Sequence, residues 1–283
     1  MLKKGLLGVI GHPIGHTASP AMVNAALRHA GMLNVLYVPV EVAPRDLGAF
    51  CRSAHLLNFI GFNVTIPHKV AVMKHLTRLD RSAREVEAVN TVKVDGGKLT
   101  GYNTDLAGVL AALPAGLPSD GVVTVVGVGG AARAAAIALK KRGFEKIVFA
   151  GRRRSSLNRF KRFTERKGVD CTFATIGSTA FAEAVKKSIL LINATPVGMH
   201  PNTCKTPVPP KLLHPGMTVF DMVYNPVETR LLREARARGA ETVNGVKMLV
   251  EQGAEALRLW LQIQPDKKVM ERAVIRFLRG GKR

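Results

Sequence analysis

The sequence predicts a two-domain α/β protein with mostly parallel sheets, and three observations carry that expectation. Strand-like and helix-like runs alternate through the first hundred residues, the pattern of a parallel-rich sheet covered by helices. A Pro/Gly cluster (Pro114, Gly116, Pro118, Gly121) then interrupts the chain, and a second strand–turn–helix series starts at Val122. Hydrophobic residues make up 47% of the 283, enough apolar surface to offset the entropy of ordering real cores.

GLLGVIG (5–11) reads as the first strand. The basic opening Met1–Lys4 resembles the start of a secretory leader, but the apolar run that follows is too short and ends in Gly11-His12-Pro13. Ser19-Pro20 starts a helix, with Ser as N-cap and Pro in the first turn. Met22, Ala25, Ala26 and Leu27 share its apolar face, and Gly31 suits the stop. VLYVPVEV (35–42) is a strand, Pro44 to about His55 a helix, and FIGFNV (59–64) a third strand. A helix is expected over 70–79, then two strands around the Asp95-Gly96-Gly97 turn and a helix over 106–113.

In the second series VVTVV (122–126) leads through a glycine-rich turn into a helix over 131–142, with Gly143 as its stop and KIVFA (146–150) as the next strand. Further strands are expected at 189–193 and 217–221. The tail is helical, with Val246, Leu249, Val250, Ala254, Leu257 and Leu261 at helical spacing, a break at Pro265, and a second helix over 267–278. Such a tail is expected to pack back on the first domain and close a cleft, with Trp260 as packing. The expected divisions are 1–105, 106–236 and 237–283.

Forty-two Lys and Arg against 20 Asp and Glu leave a formal charge of +22, and the segment 140–167 alone holds 12 basic and 2 acidic side chains. Such a block points to an anionic ligand nearby or to a solvated basic helix face. The odd cysteines Cys51, Cys171 and Cys204 make neither a C-x-x-C pair nor a disulfide framework, which suits a reducing cytoplasm. No apolar run is long enough to span a membrane, and His12, His16 and His68 lack metal-ligand spacing, so neither a membrane nor a metal partner is expected.

Gly127-Val128-Gly129-Gly130-Ala131-Ala132 fits G-x-G-x-x-A between a predicted strand and a predicted helix. That chemistry needs a tight turn, backbone close enough to touch a pyrophosphate, and free N–H groups at a helix N-terminus. An NAD-binding unit places a carboxylate after the next strand for the ribose hydroxyl. Here Gly151-Arg152-Arg153-Arg154 stands there instead. Two charged contacts of roughly 1.5–3 kcal/mol each would favour NADP over NAD by a factor of about 10² to 10⁴.

In the first domain polar groups crowd the predicted C-terminal ends of strands, where open α/β sheets bind ligands. Thr17 and Ser19 place two hydroxyls beside a helix N-terminus, a setting for a carboxylate, although capping alone would account for Ser19. Asn63-Val64-Thr65-Ile66-Pro67-His68-Lys69 follows the third strand, and Asn90-Thr91 and Asn103-Thr104-Asp105 flank the hairpin. The set suits a small polyhydroxylated acid.

These motifs resemble the shikimate dehydrogenase family over nearly the whole chain: GHPIGHTASP (11–20), NVTIPHK (63–69), AVNTV (88–92), GYNTD (101–105), GVGGAAR (127–133), INATPVGM (192–199), DMVYNP (221–226) and GVKMLVEQGA (245–254). The resemblance implies a substrate-binding domain followed by a Rossmann-type NADP-binding domain, and NADPH-dependent reduction of 3-dehydroshikimate to shikimate, in the pathway to the aromatic amino acids. It implies Lys69 and Asp105 as the catalytic pair and Thr17 and Ser19 on the substrate carboxylate. Thr65, Asn90 and Gln252 would contact the ring hydroxyls, with Tyr224 near the carboxylate. Gly127, Gly129, Gly130 and Ala131 would cradle the cofactor's pyrophosphate, Arg152 and Arg153 its 2′-phosphate, and Thr195, Met222 and Gly245 its nicotinamide side, with Gly151 a further cofactor-binding position. Three places depart from the family pattern: Thr17 stands where Ser is usual, Gly151-Arg152-Arg153 replaces Asn-Arg-Thr, and Pro196-Val197 replaces two residues that are commonly small or polar.

Independently of the name, hydride addition to a ketone leaves negative charge on oxygen, and a nearby ammonium both stabilises that charge and supplies the proton. Two alternatives are a quinate/shikimate dehydrogenase of broader specificity and, from another class, a nucleic-acid-binding module on a retired dehydrogenase fold that uses the basic block. Intact Lys69 and Asp105 favour the enzyme, acting on a small molecule as a monomer or homodimer without nucleic acid.

Overall fold

The computed structural model describes residues 4–15 and 17–280, so His16 and the opening Met1–Lys3 lie outside the described residues. The chain folds into two units, one built from residues up to Gly108 together with those from Leu249 onward, the other from Val109–Met248.

In the first unit the chain runs β1 (Gly5–Gly11), α1 (Ser19–His29), β2 (Val35–Glu41), α2 (Leu47–Ser53), β3 (Phe59–Val64), β4 (Arg78–Leu79), α3 (Arg81–Val86), β5 (Thr91–Asp95), β6 (Lys98–Tyr102) and α4 (Asp105–Ala112). The six strands lie in the order β2-β1-β3-β5-β6-β4, with β1 parallel to β2 and β3 and the β5–β6 hairpin antiparallel to β3. Register decides where the motifs meet. Ile10 pairs with Val64, Asn63 with Thr91 and Thr91 with Tyr102, so the segments after β1, β3 and β6 and before β5 share one sheet edge.

The second unit contains β7 (Val122–Val126), α5 (Gly130–Lys141), β8 (Lys146–Gly151), α6 (Arg154–Lys167), β9 (Thr172–Thr175), α7 (Thr179–Lys187), β10 (Ser188–Asn193), β11 (Thr218–Asp221), α8 (Arg230–Ala237) and β12 (Glu241–Val243). All its strand pairs are parallel, in the order β12-β11-β10-β7-β8-β9. Numbered from β7, that is the doubly wound 3-2-1-4-5-6 order of dinucleotide-binding folds, with its switch point between β7 and β10. β7 and β10 read as apolar runs (VVTVV and SILLIN), as strands covered on both faces must.

The tail forms α9 (Val246–Leu261) and α10 (Lys267–Leu278). From Leu249 on it belongs to the first unit: α10 lies along α1, and a Cβ on Gly253 would strike Met22 and Met270. Trp260 is fully buried and its indole N–H donates to the Val92 carbonyl at 2.9 Å. The indole lies so close over Gly61 that a Cβ there would fall 2.1 Å from Nε1.

Four features differ from expectation. Ser19 is the first helical residue of α1 rather than its cap, since Thr17 Oγ1 accepts from the Ser19 N–H. The helix expected over 70–79 is a 3₁₀ turn (Ala71–His75) followed by β4, because Thr77 N–H and Asp80 N–H donate to the Leu99 and Gly101 carbonyls and draw the segment onto β6. The chain crosses between units after Gly108, within α4, three residues beyond the expected division at 105 and ahead of the Pro/Gly cluster. The return to the first unit starts at Leu249 rather than residue 237, because β12 pairs with β11 and completes the second sheet.

Candidate active site

At the shared edge of the first sheet Lys69 Nζ donates to Asp105 Oδ2 at 2.5 Å, with the side chains only 17% and 5% exposed. Neither placement is accidental. Val89 N–H donates to the Lys69 carbonyl at 2.7 Å, tying the loop after β3 to the start of β5. Asp105 opens α4, where a negative charge lies well beside the free N–H groups, and Asn103 Oδ1 caps the helix by accepting from Leu106 N–H at 3.1 Å.

Asn90 links this pair to its surroundings. Its amide N–H groups face Asp105 Oδ1 (3.0 Å), Thr104 Oγ1 (2.9 Å) and Gln252 Oε1 (3.2 Å), and its oxygen accepts from Thr104 N–H at 2.7 Å. Gln252 comes from α9, 162 residues away in sequence, and is held by donating to the Leu249 carbonyl. Lys69, Asp105, Asn90 and Gln252 thus form one connected cluster. Thr65 stands at the end of β3, its N–H bonded to the Ile10 carbonyl. Thr17 and Ser19 pair with each other, Thr17 Oγ1 donating to Ser19 Oγ at 3.1 Å, beside the N-terminus of α1. His68, next to Lys69, is buried and donates from Nε2 to the Val42 carbonyl at 2.7 Å.

In the second unit the glycine turn lies at the switch point. Gly127 has φ +119°, and a Cβ on it would come 2.9 Å from the Ala194 carbonyl oxygen, so the first position of the motif admits little else. Gly129 is the reverse: among the described residues nothing lies within 4 Å of where its Cβ would project, and no side chain caps α5. Open space above bare helix N–H groups, bordered by Gly130 and Ala131, fits a pyrophosphate. Gly151 ends β8 against Val128 and Leu157. Arg152 and Arg153 follow, both exposed and without side-chain hydrogen bond or ion pair among the described residues. Their free cations fit a 2′-phosphate.

Across the switch point Thr195 Oγ1 donates to Asn193 Oδ1 at 2.7 Å and Met222 N–H donates to the Asn193 carbonyl. Gly245 packs on the Met222 backbone, where a Cβ would lie 2.5 Å from the carbonyl oxygen, and Tyr224 is half-buried in the loop after β11. Beneath them Asp221 is wholly buried, accepting from Asn193 Nδ2 (2.9 Å), Val223 N–H (3.0 Å) and Thr229 Oγ1 (2.6 Å). Burial pushes its carboxyl up to about 6, partly offset by the hydrogen bonds from Thr229, Val223 and Asn193.

Sequence reasoning did not single out Tyr37, Asn63, Thr91, Thr104, Asn193 or Asp221 individually. The available signal was polarity at interior positions of strands, since a buried Tyr or Asn needs a partner.

A doubly wound unit with a phosphate-ready glycine turn and free arginines, in one chain with a unit carrying a buried lysine–carboxylate pair, defines a nicotinamide-dependent dehydrogenase of the two-domain type. A family model of the shikimate dehydrogenase substrate binding domain matches residues 9–92, and one of the shikimate 5'-dehydrogenase C-terminal domain matches residues 245–275. The chain is 41% identical over 279 residues to a shikimate dehydrogenase (NADP(+)) of Methanothermobacter thermautotrophicus, covering 98% of each. Among solved structures it is similar to a shikimate dehydrogenase in complex with NADP+ (TM-score 0.88, 38% identity, 98% of each chain). It is also similar to a shikimate 5-dehydrogenase from Thermus thermophilus in complex with NADP(H) and shikimate (TM-score 0.83, 36% identity, 96% and 99% covered). This chain belongs to the shikimate dehydrogenase family.

Proposed function

We propose that the protein catalyses the reversible NADPH-dependent reduction of 3-dehydroshikimate to shikimate, and the observation that carries this is the buried Lys69–Asp105 pair joined to Asn90 and Gln252. The cofactor, when bound, supplies the hydride. Lys69 as its ammonium stabilises the negative charge growing on the carbonyl oxygen and delivers the proton to it, and in the reverse direction the neutral amine accepts that proton. Asp105 orients the amine by its 2.5 Å hydrogen bond. Thr17 and Ser19 hold the substrate carboxylate at the N-terminus of α1, and the family resemblance supports Tyr224 as a substrate residue. Thr65, Asn90 and Gln252 read the ring hydroxyls.

Gly127, Gly129, Gly130, Ala131 and Gly151 make room for the dinucleotide, Arg152 and Arg153 hold the 2′-phosphate, and Thr195, Met222 and Gly245 border the nicotinamide. The three unpaired cysteines support a cytoplasmic setting. We read the enzyme as a monomer or homodimer without a nucleic-acid or membrane partner. The test is absorbance at 340 nm with shikimate and with quinate, each with NADP+ and NAD+. The fastest rate is expected for shikimate with NADP+; equal rates with quinate, or with NAD+, would overturn the specificity claimed.

A further inference from the structure

Three buried polar side chains, Tyr37, Asn63 and Thr91, have no role in the reaction as described above, yet they form a chain that ends on Asn90. Tyr37 Oη donates to Asn63 Oδ1 at 2.7 Å, Asn63 Nδ2 donates to Thr91 Oγ1 at 3.0 Å and to the Asn90 carbonyl at 3.1 Å, and Thr91 Oγ1 donates to Asn90 Oδ1 at 3.2 Å. The chain crosses from β2 through β3 to β5 under cover of the core.

Two backbone groups set its direction, independently of how an amide is assigned. The Asn90 carbonyl can only accept, so the Asn63 atom facing it is the NH2, its oxygen faces Tyr37, and Tyr37 must donate. Thr104 N–H can only donate, so the Asn90 atom at 2.7 Å is oxygen and the Asn90 NH2 points at Asp105 and Gln252. Thr91 Oγ1, accepting from Asn63, has one hydrogen to give either to Asn90 Oδ1 or to Thr104 Oγ1, each 3.2 Å away, and Thr104 Oγ1 lies 3.3 Å from Asn90 Oδ1, so both routes end on that oxygen. The far end is anchored too, since Asn24 of α1 grips the Tyr37 backbone at both its N–H (2.9 Å) and its carbonyl (2.8 Å).

Packing alone does not call for this arrangement. Apolar side chains would fill the same volume without the desolvation that each of these groups undergoes, and a polar network in a core is tolerated only when fully joined. We propose that Tyr37, Asn63 and Thr91 are positioning residues, a one-way hydrogen-bond chain that clamps the Asn90 amide so that its N–H groups stay turned toward Asp105 and the bound substrate. The proposal rests on the reading of Asn90 and Asp105 given under Proposed function. Without the Thr91 hydroxyl, Asn90 Oδ1 keeps only its contacts to Thr104 and loses its link to Asn63 and Tyr37, so the amide is held less firmly against the catalytic pair.

The experiment compares full-length wild type with Thr91→Val, Thr91→Ser and Tyr37→Phe, reading kcat, KM for shikimate, KM for NADP+ and the thermal midpoint. For Thr91→Val a fall in kcat of about tenfold and a several-fold rise in KM for shikimate are expected, with KM for NADP+ unchanged. Thr91→Ser should restore both, and Tyr37→Phe should move both in the same sense by less. A merely structural role would lower the midpoint and leave the KM for shikimate at its wild-type value, and that result overturns the proposal. Should Thr91→Val not fold, Tyr37→Phe decides alone, and wild-type kcat and KM in it also overturn the chain. Wild type inactive on shikimate sinks the assigned reaction and this proposal together, whereas active wild type with unaffected variants sinks the proposal alone.

Discussion

Lys69 owes its setting to neighbours scattered along the chain: a carboxylate 36 residues on, and a backbone N–H from Val89 that fixes its main chain. If it supplies the proton in the transition state, Lys69→Ala should lower kcat by about 10² to 10⁴ with little change in KM, read from steady-state kinetics. A change confined to KM would make Lys69 a binding residue. Asp221 tests a different property. Its carboxyl titrates near 6 in the folded protein against 3.8 as the ordinary value, so the folded state binds the proton more tightly. That contribution to stability is complete below about pH 4 and is lost as pH rises through 6, leaving a penalty of about 3 kcal/mol at pH 7. Asp221→Asn should therefore gain on wild type between pH 4 and pH 7 in urea unfolding. Parallel pH dependence in the two proteins would contradict the assignment.

Among the elements, the β7–α5 turn separates two duties of glycine. Gly127 keeps the turn closed against Ala194, whereas Gly129 borders open space. Gly129→Val should fold with nearly wild-type stability but raise KM for NADP+ at least tenfold, because its side chain projects where phosphate would lie. Thermal melting beside cofactor titration checks both halves of that statement. Gly61 of β3 is a packing glycine. Gly61→Ala must displace Trp260 and break its hydrogen bond to Val92, and a loss of about 2 kcal/mol or more in unfolding free energy is expected. Wild-type stability in that variant would show that α9 docks loosely on the sheet.

For the whole molecule, charge is the property that acts at a distance. A chain of net charge +22 whose proposed substrate and cofactor are both anions should collect them faster than diffusion of neutral partners allows. kcat/KM should fall as ionic strength rises from about 0.01 to about 0.5 M, over which the screening length shrinks from about 30 Å to below about 8 Å. Salt-independent kcat/KM would leave the basic segment 140–167 a solvated surface. No helix among the described residues is long and apolar enough to cross a membrane.

Local features were legible in the sequence: GLLGVIG and FIGFNV as strands, the G-x-G-x-x-A turn between β7 and α5, and the arginines after β8. Periodicity and turn chemistry act over a few residues and can be read from one stretch of chain. Its motifs, taken in order, also pointed to the family, because eight short patterns constrain identity more than any one does. Only tertiary structure decided that residues 70–79 leave the helix for the edge of β6, that the second unit extends to Met248, and that Tyr37, Asn63 and Thr91 line up on Asn90. Each of these depends on strand register and on partners tens of residues away. A buried hydroxyl or amide shows its need for a partner in the sequence, but which partner it finds is fixed only when the strands pair.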